Sequence, residues 1–176
     1  MLIVMSGMSG TGKSGIATGI GLARRAPVFS VDPIESAVIR AGLAAGFETG
    51  LAAYLVAEAL ADAALANGLD VVIDAVNSID EARDMWRALA LKHGVAMAVV
   101  ECVISDASVH RDRVERRDRG LALSEPSWAD VERRRAEWLP WPEPHLTLDA
   151  IDRSDGNVAE ALGYLNGLGP ASALGR

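Results

Sequence analysis

The stretch Gly7-Met8-Ser9-Gly10-Thr11-Gly12-Lys13-Ser14 directly follows the apolar run Leu2-Ile3-Val4-Met5. Its glycines, lysine and serine have the spacing of a phosphate-binding loop that joins a buried strand to a helix. In such a loop, successive backbone N–H groups converge on phosphate oxygens, and the N-terminus of the following helix adds partial positive charge. The sequence therefore predicts a P-loop nucleotide-binding fold.

The residues of this loop have distinct expected roles. Lys13 is expected to reach the β- and γ-phosphates of ATP and to act in catalysis, and the Ser14 hydroxyl is expected to ligate Mg²⁺. The complete set predicted to bind the nucleotide is Gly7, Met8, Ser9, Gly10, Thr11, Gly12, Lys13, Ser14 and Gly15.

Short apolar strands alternate with helical stretches along the rest of the chain. Strands are predicted at residues 2–5, 28–31, 71–74, 96–104 and 145–148. Helices are predicted from residue 13 to about 25, from the second strand to about 67, and at 80–93, 108–119, 127–138 and 157–168. Apolar strands separated by helices predict a three-layer α/β fold, in which a five-stranded parallel sheet carries helices on both faces and binds ligands at the carboxyl ends of its strands.

Composition favours a single soluble domain, expected at residues 1–168, with a C-terminal tail at 169–176. A chain of 176 residues can bury roughly 70% of its unfolded surface in one core. The single cysteine, Cys102, lies in an apolar run and is expected to be a buried strand residue in a reducing cytoplasm. A signal segment before the loop is therefore not expected, and no uninterrupted apolar run in this sequence approaches the ~20 residues of a membrane span. The net charge of −7 disfavours a nucleic acid partner.

Two carboxylates lie at the ends of predicted strands, which places both beside the P-loop. Asp32 follows the strand at 28–31, and Asp74 ends the strand at 71–74. Asp32 is predicted to be the general base that accepts the proton of a substrate hydroxyl. The alternative, which is compatible with that role, is that it caps the following helix with Pro33 at its first position. Asp74 is predicted to hold Mg²⁺, as the acidic residue at this strand end does in P-loop enzymes.

Candidate substrate-binding residues follow each of these carboxylates. Asn77 is expected either to hydrogen-bond a phosphate or substrate or to serve as a turn residue or helix cap. Glu35 and Tyr54 lie in the segment after Asp32, where an acceptor-binding region would be inserted. Each of them is expected to line a pocket or, alternatively, to be an ordinary surface or packing residue.

Eight of the fifteen arginines lie between residues 111 and 135, which predicts an arginine-rich helical lid at about 108–138. The spacing of Arg113 and Arg117 places both on one face of a helix. Over the γ-phosphate, these two side chains would neutralise the charge of the transition state and so act in catalysis. The alternative is a solvated helix whose arginines pair with the many acidic residues around them.

The order of these features resembles the small P-loop kinases that include chloramphenicol phosphotransferase, zeta toxin, gluconate kinase and the kinase domain of polynucleotide kinase. The specific parts are the P-loop, Asp32, the stretch 72–77 and the arginine-rich segment that begins near His110. In those families the P-loop binds ATP, the aspartate that matches Asp32 commonly serves as base, and lid arginines contact the phosphates. Polynucleotide kinases tend to carry an arginine three residues after that aspartate, where this chain has Glu35.

The residues and the resemblance together predict a cytoplasmic ATP-dependent kinase that uses Mg²⁺. Its expected reaction is transfer of the γ-phosphoryl group to a hydroxyl of a small molecule, without nucleic acid or membrane partners. Two alternatives remain at this point. One is a module that binds or hydrolyses nucleotide without small-molecule kinase activity, and the other is a nucleotide or polynucleotide kinase.

Overall fold

A computed structural model describes residues 1–152 and 155–168. The strands are β1 (Leu2–Ser6), β2 (Val28–Ser30), β3 (Val71–Asp74), β4 (Met97–Val103) and β5 (Leu146–Asp149). The helices are α1 (Lys13–Arg24), α2 (Val31–Arg40), α3 (Phe47–Ala66), α4 (Asp80–His93), α5 (Ala107–Glu115), α6 (Trp128–Ala136) and α7 (Asp155–Gly167). The tail predicted at 169–176 lies outside the described residues.

All five strands form one parallel sheet in the order β2-β3-β1-β4-β5. Successive residues of β1 point to opposite faces, so that Leu2 and Val4 pack in one apolar cluster and Ile3 and Met5 in another. The first cluster includes buried residues of α3 and α4, and the second includes buried residues of α1 and α7. The predicted three-layer fold with helices on both faces is therefore confirmed.

The strand register brings the polar strand ends to one edge of the sheet. Asp74, the last residue of β3, lies opposite Met5 of β1 on one side and Ser30 of β2 on the other. Because β1 runs directly into the P-loop, the Asp74 carboxylate lies beside the phosphate-binding loop. Cys102 is buried in β4, as its apolar neighbours predict.

The long helical region predicted between the second strand and residue 67 consists of two helices, α2 and α3. Gly42 has a φ of +103° just after α2 ends, a conformation that a helix does not contain. The next helix begins after Gly46, whose N–H donates to Thr49 Oγ1 at 3.0 Å. Strand β2 also ends one residue early, which puts Asp32 in the first turn of α2.

Helix α5 ends at Glu115, four residues before the predicted end at residue 119. Asp118 Oδ1 accepts a hydrogen bond from the Gly120 N–H at 3.0 Å, and Gly120 has a φ of +62°. This local turn competes with helix propagation, as aspartate and glycine commonly do. Residues 116–127 therefore form a loop between α5 and α6, which we call the arginine loop, and Arg113 and Arg117 do not share a helical face.

Helix α3 is the one helix in the described part of the chain that is long and apolar enough to suit a membrane span. One side of it nevertheless packs in the protein core, where Ala53, Ala57 and Ala61 are fully buried. Its N-terminal half also packs against α2, because Thr49 Oγ1 donates to Glu35 Oε1 at 2.9 Å. In this fold, α3 is a helix of one outer layer of the sandwich.

Candidate active site

The P-loop wraps around the N-terminus of α1 in a conformation that depends on its glycines. Gly7, Gly10 and Gly12 have φ values of +131°, +85° and +88°. A β-carbon at Gly7 would lie 2.2 Å from the carbonyl oxygen of Cys102, a backbone atom at the end of β4. Glycine is therefore required at position 7 both for its φ and for the close approach of the loop to the sheet.

Lys13 and Ser14 form the first turn of α1, where backbone N–H groups have no partner within the helix. The Lys13 ammonium is buried and donates to the carbonyl oxygen of Met8 at 2.8 Å, so that it lies inside the curve of the loop. Burial lowers the pKa of Lys13, and the neighbouring Asp74 carboxylate opposes that shift. The Ser14 side chain is exposed at the mouth of the loop.

Two cavities open beside this loop. The larger, of about 690 Å³, lies between the P-loop, α5, the arginine loop and the N-terminus of α7. The smaller, of about 240 Å³, lies over the carboxyl ends of β2 and β3 and is lined by Asp32 and Asp74, among others. Four of the described residues line both cavities, namely Lys13, Ser14, Arg117 and Arg119.

The two predicted carboxylates thus line the same small cavity. Asp74 is almost fully buried, and its Oδ2 accepts a hydrogen bond from the Ser30 hydroxyl at 2.9 Å. Asp32 is about one third exposed, and its Oδ2 is paired with Nη1 of Arg119. The capping alternative for Asp32 is wrong, because the N-cap position of α2 is Ser30 and Asp32 lies inside the helix.

Two arginines of the arginine loop form a network with two carboxylates, Glu125 of the same loop and Asp32 of α2. Arg119 bridges Asp32 and Glu125, with its Nε donating to Glu125 Oε1 at 2.8 Å. Arg117 Nε lies 3.6 Å from Glu125 Oε2. Within the described part of the chain, Arg117 Nη1 is buried without a hydrogen-bond partner. Burial, with Arg119 nearby, lowers the pKa of Arg117, so the geometry leaves a desolvated cationic donor at the junction of the two cavities.

Arg113 occupies a different place from the one its spacing predicts. Its Nη1 donates to the carbonyl oxygen of Ala150 at 2.6 Å, and its Nη2 contacts that of Ile151. These bonds tie α5 to the segment after β5 along the wall of the larger cavity. Arg113 lines the larger cavity, whereas Arg117 lines both cavities. The two side chains therefore do not lie side by side on one face of a helix.

Asn77 is fully buried behind the P-loop rather than facing a cavity. Its Nδ2 donates to the Met5 carbonyl at 2.7 Å, and its Oδ1 accepts from Trp86 Nε1 at 2.8 Å. Its φ of +53° is typical of a turn residue, which is the alternative expected from the sequence. Both polar groups of the side chain are thus engaged within the protein, where they hold the end of β1 against α4.

Glu35 lies at the α2–α3 contact and Tyr54 lies against Trp86 of α4, and neither lines the two cavities. Glu35 accepts a hydrogen bond from Thr49, and the Tyr54 hydroxyl accepts one from the Asn77 N–H at 3.4 Å. Burial raises the pKa of Tyr54 to about 12. Their positions give both residues a packing role, which is the second of the two expectations for them.

Sequence reasoning missed the contributions of Arg119, Glu125 and His110 to this site. His110 is buried beneath the P-loop, where its Nε2 contacts the Ser9 carbonyl at 2.7 Å and its Nδ1 contacts Arg135 Nη2 at 2.8 Å. Arg119 and Glu125 belong to the charge-rich segment, but that segment has many similar pairs. Nothing in the local pattern distinguishes the arginine that reaches Asp32, which is 87 residues away in sequence.

Other arginines of the segment form the solvated pairs that were the alternative to a lid. Arg111 pairs with Glu115 at 2.7 Å along the exposed side of α5. Arg133 pairs with Asp130 on α6 in the same way. Arg116 pairs with Asp112 at 2.7 Å, but these two residues also line the larger cavity. Only part of the arginine-rich segment therefore faces the cavities.

Comparisons with known proteins agree with this architecture, although no curated protein matches the chain. A candidate kinase from Chloroflexus aurantiacus has a TM-score of 0.78 at 20% identity, over 94% of this chain and 96% of its own. The APS kinase CysC of Mycobacterium tuberculosis, in complex with AMPPNP and APS, has a TM-score of 0.69 at 20% identity, over 94% and 96%. Kti12 of Chaetomium thermophilum, in complex with ADP-AlF3, has a TM-score of 0.69 at 17% identity, over 95% and 98%.

At these identities the structural likeness establishes a shared fold. The narrower resemblance to chloramphenicol phosphotransferase and zeta toxin stays a prediction. A family model described as an AAA domain matches residues 2–138, a range that contains the P-loop, Asp32, Asp74 and the arginine loop. Because that match spans most of the sequence, the chain belongs to this AAA-domain family, AAA_33.

Proposed function

We propose that this protein is an ATP-dependent kinase that transfers the γ-phosphoryl group to a hydroxyl of a small molecule. One observation carries the proposal: two cavities meet at Lys13, Ser14, Arg117 and Arg119. A nucleotide in the larger cavity, with its phosphates in the P-loop, would direct its γ-phosphate toward the smaller one. Three cationic side chains would then surround the transferring group, where charge stabilisation is the main catalytic requirement.

Asp32 is the candidate base because it lines the acceptor-sized cavity beside these cations. A substrate hydroxyl in that cavity would donate its proton to the Asp32 carboxylate as its oxygen attacks the γ-phosphorus. Arg119 pairs with Asp32 in the structure and also lines the nucleotide cavity. Phosphate oxygens that enter the junction would compete for this guanidinium, which would free the carboxylate for the acceptor.

Magnesium fits the residues present. In the described residues no group of three or more His, Cys, Asp or Glu side chains is placed to hold a metal. Mg²⁺ in nucleotide sites instead uses one or two protein oxygens together with phosphates and water. Ser14 and Asp74 line one cavity and would be the residues that hold it. When bound, the ion would neutralise charge on the β- and γ-phosphates.

The comparisons support the same reaction class. APS kinase, one of the structural relatives, was solved with both a nucleotide analogue and APS, so this fold accommodates a nucleotide together with a second small molecule. Kti12, another relative, was solved with ADP-AlF3. The smaller cavity here, of about 240 Å³, suits a compact acceptor. The cytoplasm, where ATP is available, is the compartment that the proposal implies.

The test is to incubate the protein with Mg²⁺ and γ-labelled ATP in the presence of a panel of sugars, sugar acids, nucleosides and hydroxylated antibiotics. We expect at least one acceptor to become labelled well above background hydrolysis, and to remain unlabelled with the Lys13→Ala protein. ATP hydrolysis that no acceptor accelerates would instead support a hydrolysing module. Salt-sensitive labelling of an oligonucleotide 5′-hydroxyl would support a polynucleotide kinase.

A further inference from the structure

The outward face of α3 is an unusually apolar surface for a soluble domain. Phe47 is 77% exposed, and Leu51, Leu55, Val56 and Leu60 are each 42–50% exposed. Together these five side chains leave roughly 500 Å² of apolar area in water, near the upper end of what a soluble monomer carries in one patch. Most single exposed leucines need no explanation, but a continuous patch of this size does.

These side chains form two adjacent rows along the helix. The first row has the i, i+4 spacing Phe47, Leu51, Leu55, Ala59, Ala63, and the second is Ala52, Val56, Leu60. The first row lies opposite the buried row that contains Ala53, Ala57 and Ala61. The eight residues of these rows are apolar, but the second row continues toward the N-terminus to the exposed Glu48, and Glu58 and Asp62 lie beside the first row.

The charge distribution permits a second copy of the chain as the partner for the apolar centre of this face. Two identical chains of net charge −7 repel each other, so they can associate only where the contacting surfaces carry little charge. The centre of the exposed face, around Leu51, Leu55 and Val56, meets that condition, whereas Glu48 and Asp62 lie toward its two ends. The nearby Asp62 carboxylate is paired with Lys92 at 2.8 Å, which reduces its repulsion of a copy.

The order of residue sizes along the first row points the same way. Large side chains occupy its N-terminal half and alanines its C-terminal half, with Leu55 at the centre. If two copies pair antiparallel about a two-fold axis at Leu55, Phe47 of one lies against Ala63 of the other, and Leu51 against Ala59. A two-fold axis requires a surface that is complementary to itself, and this alternation of large against small provides it.

We propose that the protein forms a two-fold symmetric homodimer through the outward face of α3. The five large side chains supply much of the about 800 Å² per partner that a standard interface buries. The alanines and neighbouring surface would supply the rest. The interface would brace the outer side of α3, whose inner side is bonded through Thr49 to Glu35 of α2. The proposal does not depend on the proposed kinase activity.

The first test is the mass of the purified protein in solution, measured by sedimentation equilibrium at 1–100 μM. We expect a dimer, and we expect Leu55→Asp to shift it to monomer by placing two carboxylates at the axis. Leu22→Asp is the matched control, because Leu22 is 77% exposed on α1, in the helical layer on the other face of the sheet, and should leave the dimer intact. A wild-type monomer throughout this range, or equal dissociation by both variants, would overturn the proposal.

The second test fixes the geometry by oxidative cross-linking, since the single native cysteine is buried. Leu55→Cys should give a covalent dimer, because residues at a two-fold axis approach their own copies. Leu51→Cys mixed with Ala59→Cys should cross-link better than either alone, whereas Leu22→Cys on α1 should stay monomeric. Cross-linking at Leu22 instead would exclude this interface. Binding of the wild-type monomer to anionic or neutral lipid vesicles, abolished by Leu55→Asp, would assign the face to a membrane and also overturn the dimer.

Discussion

Four of the eight arginines of residues 111–135 fall into two groups that differ in what their guanidinium groups contact. Arg111 and Arg133 pair with acidic residues three or four positions away on the exposed sides of α5 and α6. Arg117 and Arg119 instead lie in the loop between those helices and face both cavities. Within one short segment, some arginines therefore lie in water and others lie where the two cavities meet.

The difference shows that helical spacing describes only the first group. Exposed i, i+3 and i, i+4 pairs contribute little to stability, and their geometry follows from the helix alone. Arg119 has a partner far away in sequence, Asp32, and both loop arginines are partly removed from water. In such a place a charge interacts more strongly, so we expect function to depend on the second group and not on the first.

The largest effect is expected at Lys13. The two lysines of the chain repeat the contrast between a buried and an exposed cation. Lys13→Ala should reduce phosphoryl transfer to background, because it removes the cation inside the P-loop. Lys92→Ala is the matched control, since Lys92 is the other lysine of the chain and pairs with Asp62 on the surface. Initial rates with γ-labelled ATP measure both, with circular dichroism to confirm folding. Near wild-type transfer by folded Lys13→Ala would exclude the P-loop assignment.

Asp32→Asn should reduce acceptor phosphorylation by roughly 10²–10⁴-fold, the usual range for loss of a positioned acid–base group. Asparagine keeps the shape of the side chain but does not accept the proton at neutral pH. ATP affinity, measured by calorimetry, should stay nearly unchanged. Asp84→Asn, at an exposed carboxylate paired with Arg87, is the control and should be silent. Unchanged turnover in Asp32→Asn would remove Asp32 from the mechanism.

Arg117→Ala and Arg119→Ala should each lower kcat by about 10²-fold, as does loss of one donor to the charge of a transition state. KM for ATP should change much less. Arg111→Ala and Arg133→Ala, at the exposed pairs, should change kcat by less than about twofold. Steady-state kinetics of the four variants test the division directly. Equal effects in both groups would show that the segment acts only through its overall charge.

Arg113→Ala separates two roles that spacing alone assigns to one residue. Because its guanidinium donates to the Ala150 and Ile151 carbonyls, the variant should lose stability, by about 1–3 kcal/mol for buried acceptors left unpaired. Urea unfolding measures this change. A large loss of kcat with unchanged stability would return Arg113 to the catalytic group.

The smallest effect concerns His110, which links α5 and α6 to the P-loop. Burial lowers the pKa of His110 below its ordinary value of about 6.5. The unfolded chain therefore binds this proton at a higher pH than the folded protein does. The resulting stability is fully present above the ordinary pKa and is lost progressively as the pH falls below it.

Thermal unfolding of the wild type and of His110→Gln between pH 5 and pH 8 tests this coupling. We expect Tm of the wild type to fall more steeply toward pH 5 than Tm of the variant, because glutamine does not titrate. The comparison at pH 8, where the imidazole is neutral in both states, corrects for packing changes. Parallel Tm curves would show that His110 titrates alike in the folded and unfolded chain.

Much of the architecture was predictable because it depends on local patterns. The strand-to-helix transition at the P-loop needs only an apolar run, glycines and a helix start, and Asp74 follows from its place at the end of β3. The break between α2 and α3 was not located because their many alanines extend a helical pattern through Gly42 and Gly46. The end of α5 was missed because the Asp118 turn competes with helix propagation only when Gly120 adopts a positive φ.

By itself, the sequence determined the phosphate-binding loop, the parallel sheet and the edge at which the strand carboxylates meet, because each depends on residues close together in the chain. Only the tertiary structure decided three contacts. Arg119 pairs with Asp32, Asn77 accepts a hydrogen bond from Trp86, and Arg113 donates to the Ala150 carbonyl after β5. These contacts join residues far apart in sequence. Their partners are set by packing and burial, for which a local pattern of charges contains no information.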